Sequence, residues 1–233
     1  MSSNVGFRVF TKTPRPRKDV VEKLGRLETV YLSDAMNRFG GMEADVRPAA
    51  VGMTVAGPAL TVRVRPGDNL MVYKAFQVAQ PGDVLVIEAR GYTSVAQWGD
   101  ITSMIAKGLK LAGMVTDGAL RDLKGICEVG LPVFAKPSLI PNGALKDGPG
   151  EVNVPVAVAG VPVLPGDVIV GDAHGVVVVP RRDAEAVLAK ATAMAAAEQS
   201  KIREIRAGHL TAEWLEATLQ QKGCEIVEAE WDA

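Results

Sequence analysis

The stretch WGDITSMIAKGLKLAGMVTDGALRD, Trp98–Asp122, reads as a loop, a helix, a strand and a turn in quick succession. Gly99-Asp100 forms the loop. Ile101–Leu111 has helix-like spacing of apolar positions, and Gly113–Thr116 is a short apolar run suited to a strand. Asp117, Gly118, Arg121 and Asp122 close the stretch as a turn. A helix that hands over to a strand in this way belongs to an α/β or α+β architecture.

The same stretch gathers a set of chemical groups. A loop entering a helix leaves backbone N–H groups without intrahelical partners, and these donors suit a carboxylate or phosphate. The N–H groups of Gly99, Asp100, Ile101 and Thr102 are the candidates. Arg121 offers a planar fork for the same kind of anion. Asp100 and Asp122 are hard oxygen donors of the type that hold Mg²⁺ or Mn²⁺, directly or through waters. A plainer role fits the same residues: Asp100 as a helix cap, and Arg121 with Asp122 as a surface ion pair.

Outward from this stretch the chain alternates short helices and strands. Lys18–Leu24 and Thr29–Phe39 read as helices, the second ended by Gly40-Gly41, and Ser33-Asp34 falls inside it. Thr54–Val64 and Val84–Ile87 read as strands around a helix over Asn69–Ala79. Leu123–Val129 reads as a short helix and Val133–Ala135 as a strand. Pro-Gly-Asp recurs at Pro66, Pro81 and Pro165 as repeated turn punctuation. Lys136–Asn153, rich in Gly, Pro and Lys, reads as a long loop bordering the site or a subunit contact. Val154–Val158, Val168–Val170 and Val176–Val179 are β-branched runs expected to be buried on both faces. Pro180 sits where a helix starts, Ala184–Ile205 is a long Ala-rich helix, and Thr211–Gln221 is a last helix capped by Thr211. Residues 1–16 are expected to form an extended arm.

Composition narrows the function. The chain has 233 residues, 48% hydrophobic and 23% charged, with a net charge of −1, which is the balance of a folded globular domain. With no basic block there is no electrostatic footprint for nucleic acid. No apolar run is long enough for a membrane span. The first residues show no apolar segment before a cleavage site, and Cys127 and Cys224 read as free thiols, so a cytoplasmic protein is expected. No GxGxxG follows a strand; Gly171-Asp-Ala-His-Gly175 reads as a turn, which argues against NAD and against a classical methyltransferase. His174 and His209 are the only histidines, so a His-based zinc site is not expected. Lys107, Lys110 and Lys124 lie near the stretch, but none sits on an apolar strand, as a Schiff-base lysine with a lowered pKa requires.

The spacing of Asp100, twenty residues, then Arg121-Asp122 resembles the signature of the RraA-like family. That family includes the 4-hydroxy-4-methyl-2-oxoglutarate / 4-carboxy-4-hydroxy-2-oxoadipate aldolases. The resemblance extends from about Thr29 to Gly208. It takes in Leu32-Ser33-Asp34-Ala35-Met36, Gly67-Asp68-Asn69, Pro81-Gly82-Asp83-Val84, Pro165–Val170 and Gly175–Pro180. One departure stands out: an acidic residue often follows the Arg-Asp pair, and this chain has Gly125 there.

The resemblance implies an α/β fold, a swivelling β/β/α-type sandwich in a single domain with a C-terminal helical extension. The expected boundaries are an arm over residues 1–16, the aldolase domain over 17–208, and a helix and tail over 209–233. A homotrimer or homohexamer is implied, with sites between subunits and Glu198 approaching from a neighbouring chain. The expected cofactor is Mg²⁺, or Mn²⁺, held by Asp122 and waters. The expected partner is a small 2-oxo-acid whose carboxylate meets the N–H groups of Gly99, Asp100, Ile101 and Thr102. Arg121 is expected to stabilise a pyruvate enolate, and a water beside Asp100 or Glu198 to take the 4-hydroxyl proton. Pyruvate and a second oxo-acid would leave, and oxaloacetate would be decarboxylated at the same site. A different class also fits: a protein-binding regulator of ribonuclease activity without catalysis.

Overall fold

The computed structural model describes residues 4–231. In chain order the first elements are β1 (Phe7–Val9), α1 (Lys18–Leu24), α2 (Thr29–Ala35), β2 (Arg47–Pro48), β3 (Val55–Val64), α3 (Leu70–Phe76) and β4 (Val84–Glu88). The middle of the chain adds β5 (Ala96–Trp98), α4 (Asp100–Gly108), β6 (Gly113–Thr116), β7 (Ala119–Leu120), α5 (Leu123–Val129) and β8 (Val133–Ala135). The rest supplies β9 (Gly150–Val152), β10 (Val156–Val158), β11 (Val161–Val163), β12 (Val168–Asp172), β13 (Gly175–Val179), α6 (Ala184–Arg206) and α7 (Leu215–Gln221).

The longest strand, β3, belongs to two β layers at once. Its first half pairs antiparallel with β12, from Val55 opposite Gly171 to Pro58 opposite Val168. Its second half pairs parallel with β4, from Ala59 opposite Val84 to Arg63 opposite Glu88. The change of partner happens beside Gly57. A Cβ there would meet the carbonyl oxygen of Gly82 at 2.2 Å, so only glycine lets the turn before β4 come this close. From β3 the parallel block continues through β4 and β6 to β8. Parallel neighbours need crossovers, and α3, α4 and α5 occupy these connections.

Three clusters of buried side chains separate the layers. Leu60, Val62, Leu85, Ile87 and Met114 meet α3, α4 and α5 on one face of the block. Val84, Val86, Val115 and Phe134 face the other way, against β10 and β11. Val168, Val170, Val177 and Val179 pack on α1, α2 and the first turns of α6. The β/β/α layering implied by the family resemblance is therefore present. Its consequence is positional: the segments after β4 and β6 leave the carboxyl edge of the parallel strands, where open α/β sheets place their ligands.

Several local expectations differ. The arm is not free: Phe7–Val9 is an edge strand paired in parallel with β9 of the same chain, and Arg8 bonds Glu151 at 2.7 Å. Met1–Ser3, at the start of the expected arm, lie outside the described residues. The Lys136–Asn153 loop contains β9, which pairs antiparallel with β3. Helix α2 stops at Ala35 because Asn37 and Arg38 adopt left-handed φ angles of 56° and 69°, four residues before the Gly40-Gly41 end expected at Phe39. Val156–Val158 is half-buried, with Ala157 exposed in a two-stranded ribbon, whereas β12 and β13 are buried as expected. Helix α6 begins at Ala184, after a turn at Pro180, and α7 begins at Leu215 rather than after Thr211.

The repeated Pro-Gly-Asp turns share a mechanism at two places. Gly82 and Gly166 take φ angles of 89° and 84°, and Asp83 and Asp167 accept the N–H of the residue three positions earlier, at 2.9 Å in both. At the third, buried Asp68 instead accepts the N–H groups of Asp147 (2.6 Å) and Gly148 (2.9 Å), tying down a distant loop. By compactness the chain divides within α6, into residues up to Ala195 and residues from Ala196 onward. No described helix is long and apolar enough to cross a membrane.

Candidate active site

Two segments twenty residues apart meet because β5 and β7 pair in parallel, Trp98 opposite Leu120. The Arg121 N–H donates to the Trp98 carbonyl at 3.0 Å and locks the turn against the start of α4. The helix start is itself fixed. The Thr102 hydroxyl exchanges hydrogen bonds with the Gly99 backbone, accepting from its N–H at 3.0 Å and donating to its carbonyl at 2.9 Å. Buried Trp98 donates its indole N–H to Ser103 Oγ at 2.6 Å, and Ser103 donates to the Gly99 carbonyl at 3.0 Å. Every partner in this chain of bonds is local, so the sequence WGDITS encodes a rigid helix entry.

Gly99, rather than Asp100, is the helix cap, which removes one of the plainer roles of Asp100. Asp100 is the first helical residue, and its Oδ1 accepts the Ile101 N–H at 2.6 Å. Two of the four donors expected for a substrate carboxylate, Gly99 and Ile101, are thus engaged within the helix entry. The N–H groups of Asp100 and Thr102 are left for an anion at the positive end of the helix.

Asp122 has a left-handed backbone, φ 56°, and stands at the cap position of α5 without capping it through its side chain. Its Oδ2 lies 3.2 Å from Arg121 Nε, with the two side chains 42% and 41% exposed. An ion pair this exposed contributes about 0–1 kcal/mol. The pair therefore adds little to stability. Aspartate is among the few non-glycine residues that adopt the left-handed region readily. Asp122 is also free of the capping duty that an aspartate before a helix normally performs.

Asp122, Asp100 and Arg121 are each seated against a glycine. A Cβ on Gly99 would lie 2.7 Å from Asp122 Oδ2; one on Gly125, 2.7 Å from Asp100 Cβ; one on Gly143, 2.4 Å from Arg121 Nη1. This accounts for the departure at Gly125. A side chain there would meet the first atoms of Asp100, and an acidic one would bring a like charge against its carboxylate.

The cleft formed by these residues has further walls that the sequence reading did not single out as site residues: Asn69, Tyr73, Ala144 and Lys146. Asn69 is buried, and its Oδ1 has no hydrogen-bond partner. The Lys146 ammonium lies 5.5 Å from the centre of the Tyr73 ring. The signal available for Asn69 was its place in the Gly67-Asp68-Asn69 block; Lys146 had none beyond its position in a loop expected to border the site.

Other candidates lie elsewhere. Asp34 pairs with Arg38 on the surface, and His174 is exposed beside Glu28. Lys107 donates to the Val129 carbonyl, and Lys124 pairs with Glu128 in solvent. Lys136, at the end of β8, donates to Asp45, and that hydrogen bond raises its pKa, which is the wrong direction for a Schiff-base nucleophile. Glu198 is exposed on α6, in the part of the chain that starts at Ala196. Among the described residues, no three or more His, Cys, Asp or Glu side chains cluster to hold a metal ion. The donor set that is present, the half-exposed Asp122 carboxylate with Asp100 nearby, fits Mg²⁺, which keeps several waters and takes one or two carboxylates.

Residues 29–178 match the RraA-like family, described as Aldolase/RraA. The chain belongs to the RraA-like family. A protein of Halalkalibacterium halodurans named "Putative 4-hydroxy-4-methyl-2-oxoglutarate aldolase" is 40% identical over 187 residues, which covers 80% of this chain and 89% of that one. Among solved structures, a Streptomyces coelicolor protein, titled an unusual member of the RNase ES inhibitor RraA protein family, superposes with a TM-score of 0.74. It is 29% identical, over 82% of this chain and 98% of that one. The RNA-processing inhibitor RraA of Thermus thermophilis gives a TM-score of 0.60 at 30% identity, over 66% of this chain and 92% of that one. The RraA-like fold of this chain thus has relatives named for two unlike activities, and the cleft has to decide between them.

Proposed function

We propose that this RraA-like chain is a divalent-metal-dependent pyruvate aldolase. Its substrate is 4-hydroxy-4-methyl-2-oxoglutarate or 4-carboxy-4-hydroxy-2-oxoadipate, with oxaloacetate decarboxylation as a side activity. The observation that carries the proposal is the convergence of Asp100, Arg121 and Asp122 on one cleft at the start of α4. The aldolase name of the Halalkalibacterium relative supports it.

Each group is assigned a role, and the cleft geometry supports the assignment. The Asp100 and Thr102 N–H groups bind the carboxylate next to the 2-oxo group. Asp122 holds the cation, Mg²⁺ or Mn²⁺, with waters completing its shell. Bound there, the cation supplies Lewis-acid polarisation of the 2-oxo group. The Arg121 guanidinium hydrogen-bonds the C2 oxygen, where negative charge develops. A water beside Asp100 or Glu198 takes the 4-hydroxyl proton, the C3–C4 bond breaks, and its electrons pass through C3 to the C2 oxygen. Protonation of the resulting enolate at C3 gives pyruvate, while C4 leaves as the carbonyl of the second oxo-acid. Lys146 and Asn69, which line the same cleft, are assigned to the end of the substrate that carries its other carboxylate. Decarboxylation of oxaloacetate generates the same enolate and uses the same groups. The cytoplasm is the proposed setting, in keeping with the unpaired, exposed Cys127 and Cys224.

The competing reading, a regulator that binds a ribonuclease, draws on the names of the Streptomyces and Thermus relatives. A binding surface has no need of two aspartates and an arginine gathered in one cleft at a helix start. Pyruvate release from oxaloacetate and from branched 4-hydroxy-2-oxo-diacids separates the two. Turnover that EDTA stops and Mg²⁺ restores is expected; no turnover with any diacid in the presence of Mg²⁺ overturns the aldolase reading.

The proposed assembly is a homotrimer or homohexamer in which Glu198 serves the site of a neighbouring chain. Asp122→Ala and Glu198→Ala, each inactive alone, then recover part of the activity when co-expressed, since mixed rings contain sites with both wild-type residues. Mixed oligomers seen by mass spectrometry without recovered turnover would remove Glu198 from a shared site.

A further inference from the structure

The loop over residues 138–147 is a strap pinned along its length. Leu120 donates to the Ser138 carbonyl at 2.9 Å, and Ile140 donates back to Leu120 at 3.0 Å. Ala96 donates to the Asn142 carbonyl at 2.8 Å, and Gly143 forms an isolated parallel bridge with Ala96. Further on, Leu145 exchanges bonds with Gly67 and Asn69, both at 2.9 Å, and the Asp147 N–H is held by Asp68 at 2.6 Å. The strap thus grips β5 and β7, the two strands that bring Trp98 and Arg121 together.

Gly143 is where this strap crosses the guanidinium of Arg121. A Cβ on Gly143 would lie 2.4 Å from Nη1 and 2.9 Å from Cζ. Gly143 is not among the residues with a left-handed φ, so the position needs glycine for space and not for conformation. The backbone on both sides is fixed by the bonds above, so the strap cannot retreat from an added methyl. The guanidinium is the far end of a flexible side chain, and it is the part that yields.

We propose that Gly143 is a positioning residue for Arg121, the seat that aims its guanidinium into the cleft. The proposal rests on the role given to Arg121 above. Gly125 and Gly99 also touch charged groups of the site, but there an added Cβ meets the Asp100 Cβ at 2.7 Å or disturbs the hydrogen-bonded entry of α4. Gly143 separates position from stability: its substitution displaces a movable side chain and leaves the core untouched.

The test is a double-mutant cycle on the full chain with Gly143→Ala and Arg121→Ala, read as kcat and KM for pyruvate release and as Tm. Gly143→Ala is expected to lower kcat about 10- to 100-fold, the scale of an ångström-sized misplacement of a reacting group. Its Tm is unchanged or slightly raised, because alanine lowers the entropy of the unfolded chain. In the Arg121→Ala background the same substitution changes kcat by less than about twofold, since the group it acts through is gone. Gly108→Ala, at the end of α4 with nothing within 4 Å of the added Cβ, is the neutral control. Wild-type kcat in Gly143→Ala, or an equal loss in both backgrounds, overturns the proposal. If the wild-type chain releases no pyruvate from any diacid, the reaction assigned to Arg121 fails. The seat is then decided by crystallography alone: a guanidinium displaced by the Gly143→Ala methyl keeps it, and an unmoved one overturns it.

Discussion

Asp122→Ala abolishes Mg²⁺-dependent pyruvate release while the protein stays folded. The carboxylate is half-exposed, makes one ion pair at 3.2 Å, and caps nothing, so little stability is lost with it. Alanine is less at ease than aspartate at φ 56°, which adds about 1 kcal/mol or less of destabilisation. Asp122→Asn controls for this, since asparagine tolerates the left-handed region as aspartate does and loses only the charge. Both variants are expected to lose a factor of about 10² or more in kcat/KM at limiting Mg²⁺, the scale for several kcal/mol of charge stabilisation. Near-wild-type turnover of a folded Asp122→Asn at limiting Mg²⁺ would take this residue away from the cation. A loss that excess Mg²⁺ restores would instead place it in cation affinity alone.

The parts of the site that could be read from the chain are those whose geometry is local. Asp100 begins a helix whose entry is fixed by bonds among Trp98, Gly99, Thr102 and Ser103, all within a few residues. Strand β6 follows from its apolar run for the same reason, whereas α4 ends at Gly108 rather than Leu111, and the turn expected over Asp117–Asp122 contains strand β7, which exists through its pairing with β5. What escaped the reading depends on partners far away in sequence. Strands β1 and β9 have three residues each, too few to show a period, and exist because Phe7 reaches Gly150 and Val62 reaches Val152. The exposed face of β10 depends on its pairing with β11, where Ala157 meets Pro162 across a ribbon.

Glycine composition misled in a related way. Gly, Pro and Lys over residues 136–153 signal an open loop, yet the segment is held at Leu120, Ala96, Gly67 and Asp68. Gly143 makes room for a guanidinium and is not there for freedom of backbone. Gly125 shows the same: what reads as a missing carboxylate is, in space, the contact that allows α5 to approach Asp100. No spacing rule carries that information, because the atom that excludes a side chain at 125 belongs to another helix.

Arg121→Lys fails nearly as completely as Arg121→Ala. The guanidinium engages in two directions: Nε faces Asp122 Oδ2 at 3.2 Å, while the Nη1 end lies over Gly143. A planar fork can keep the Asp122 contact and still present a second N–H to the C2 oxygen of a substrate. Lysine keeps the charge but concentrates it on a single ammonium at the end of a flexible stem. That ammonium is drawn to the Asp122 carboxylate, and nothing remains aimed at the developing enolate. The expected loss is about 10²- to 10³-fold in kcat, the scale for removing one oxyanion donor. KM for the diacid changes less, because the α4 N–H groups and Lys146 still hold its two carboxylates. This split between kcat and KM distinguishes a group that acts in the transition state from one that only binds. If Arg121→Lys retains most of kcat, the guanidinium serves only as the ion-pair partner of Asp122. The enolate charge then has to be met by other groups of the cleft.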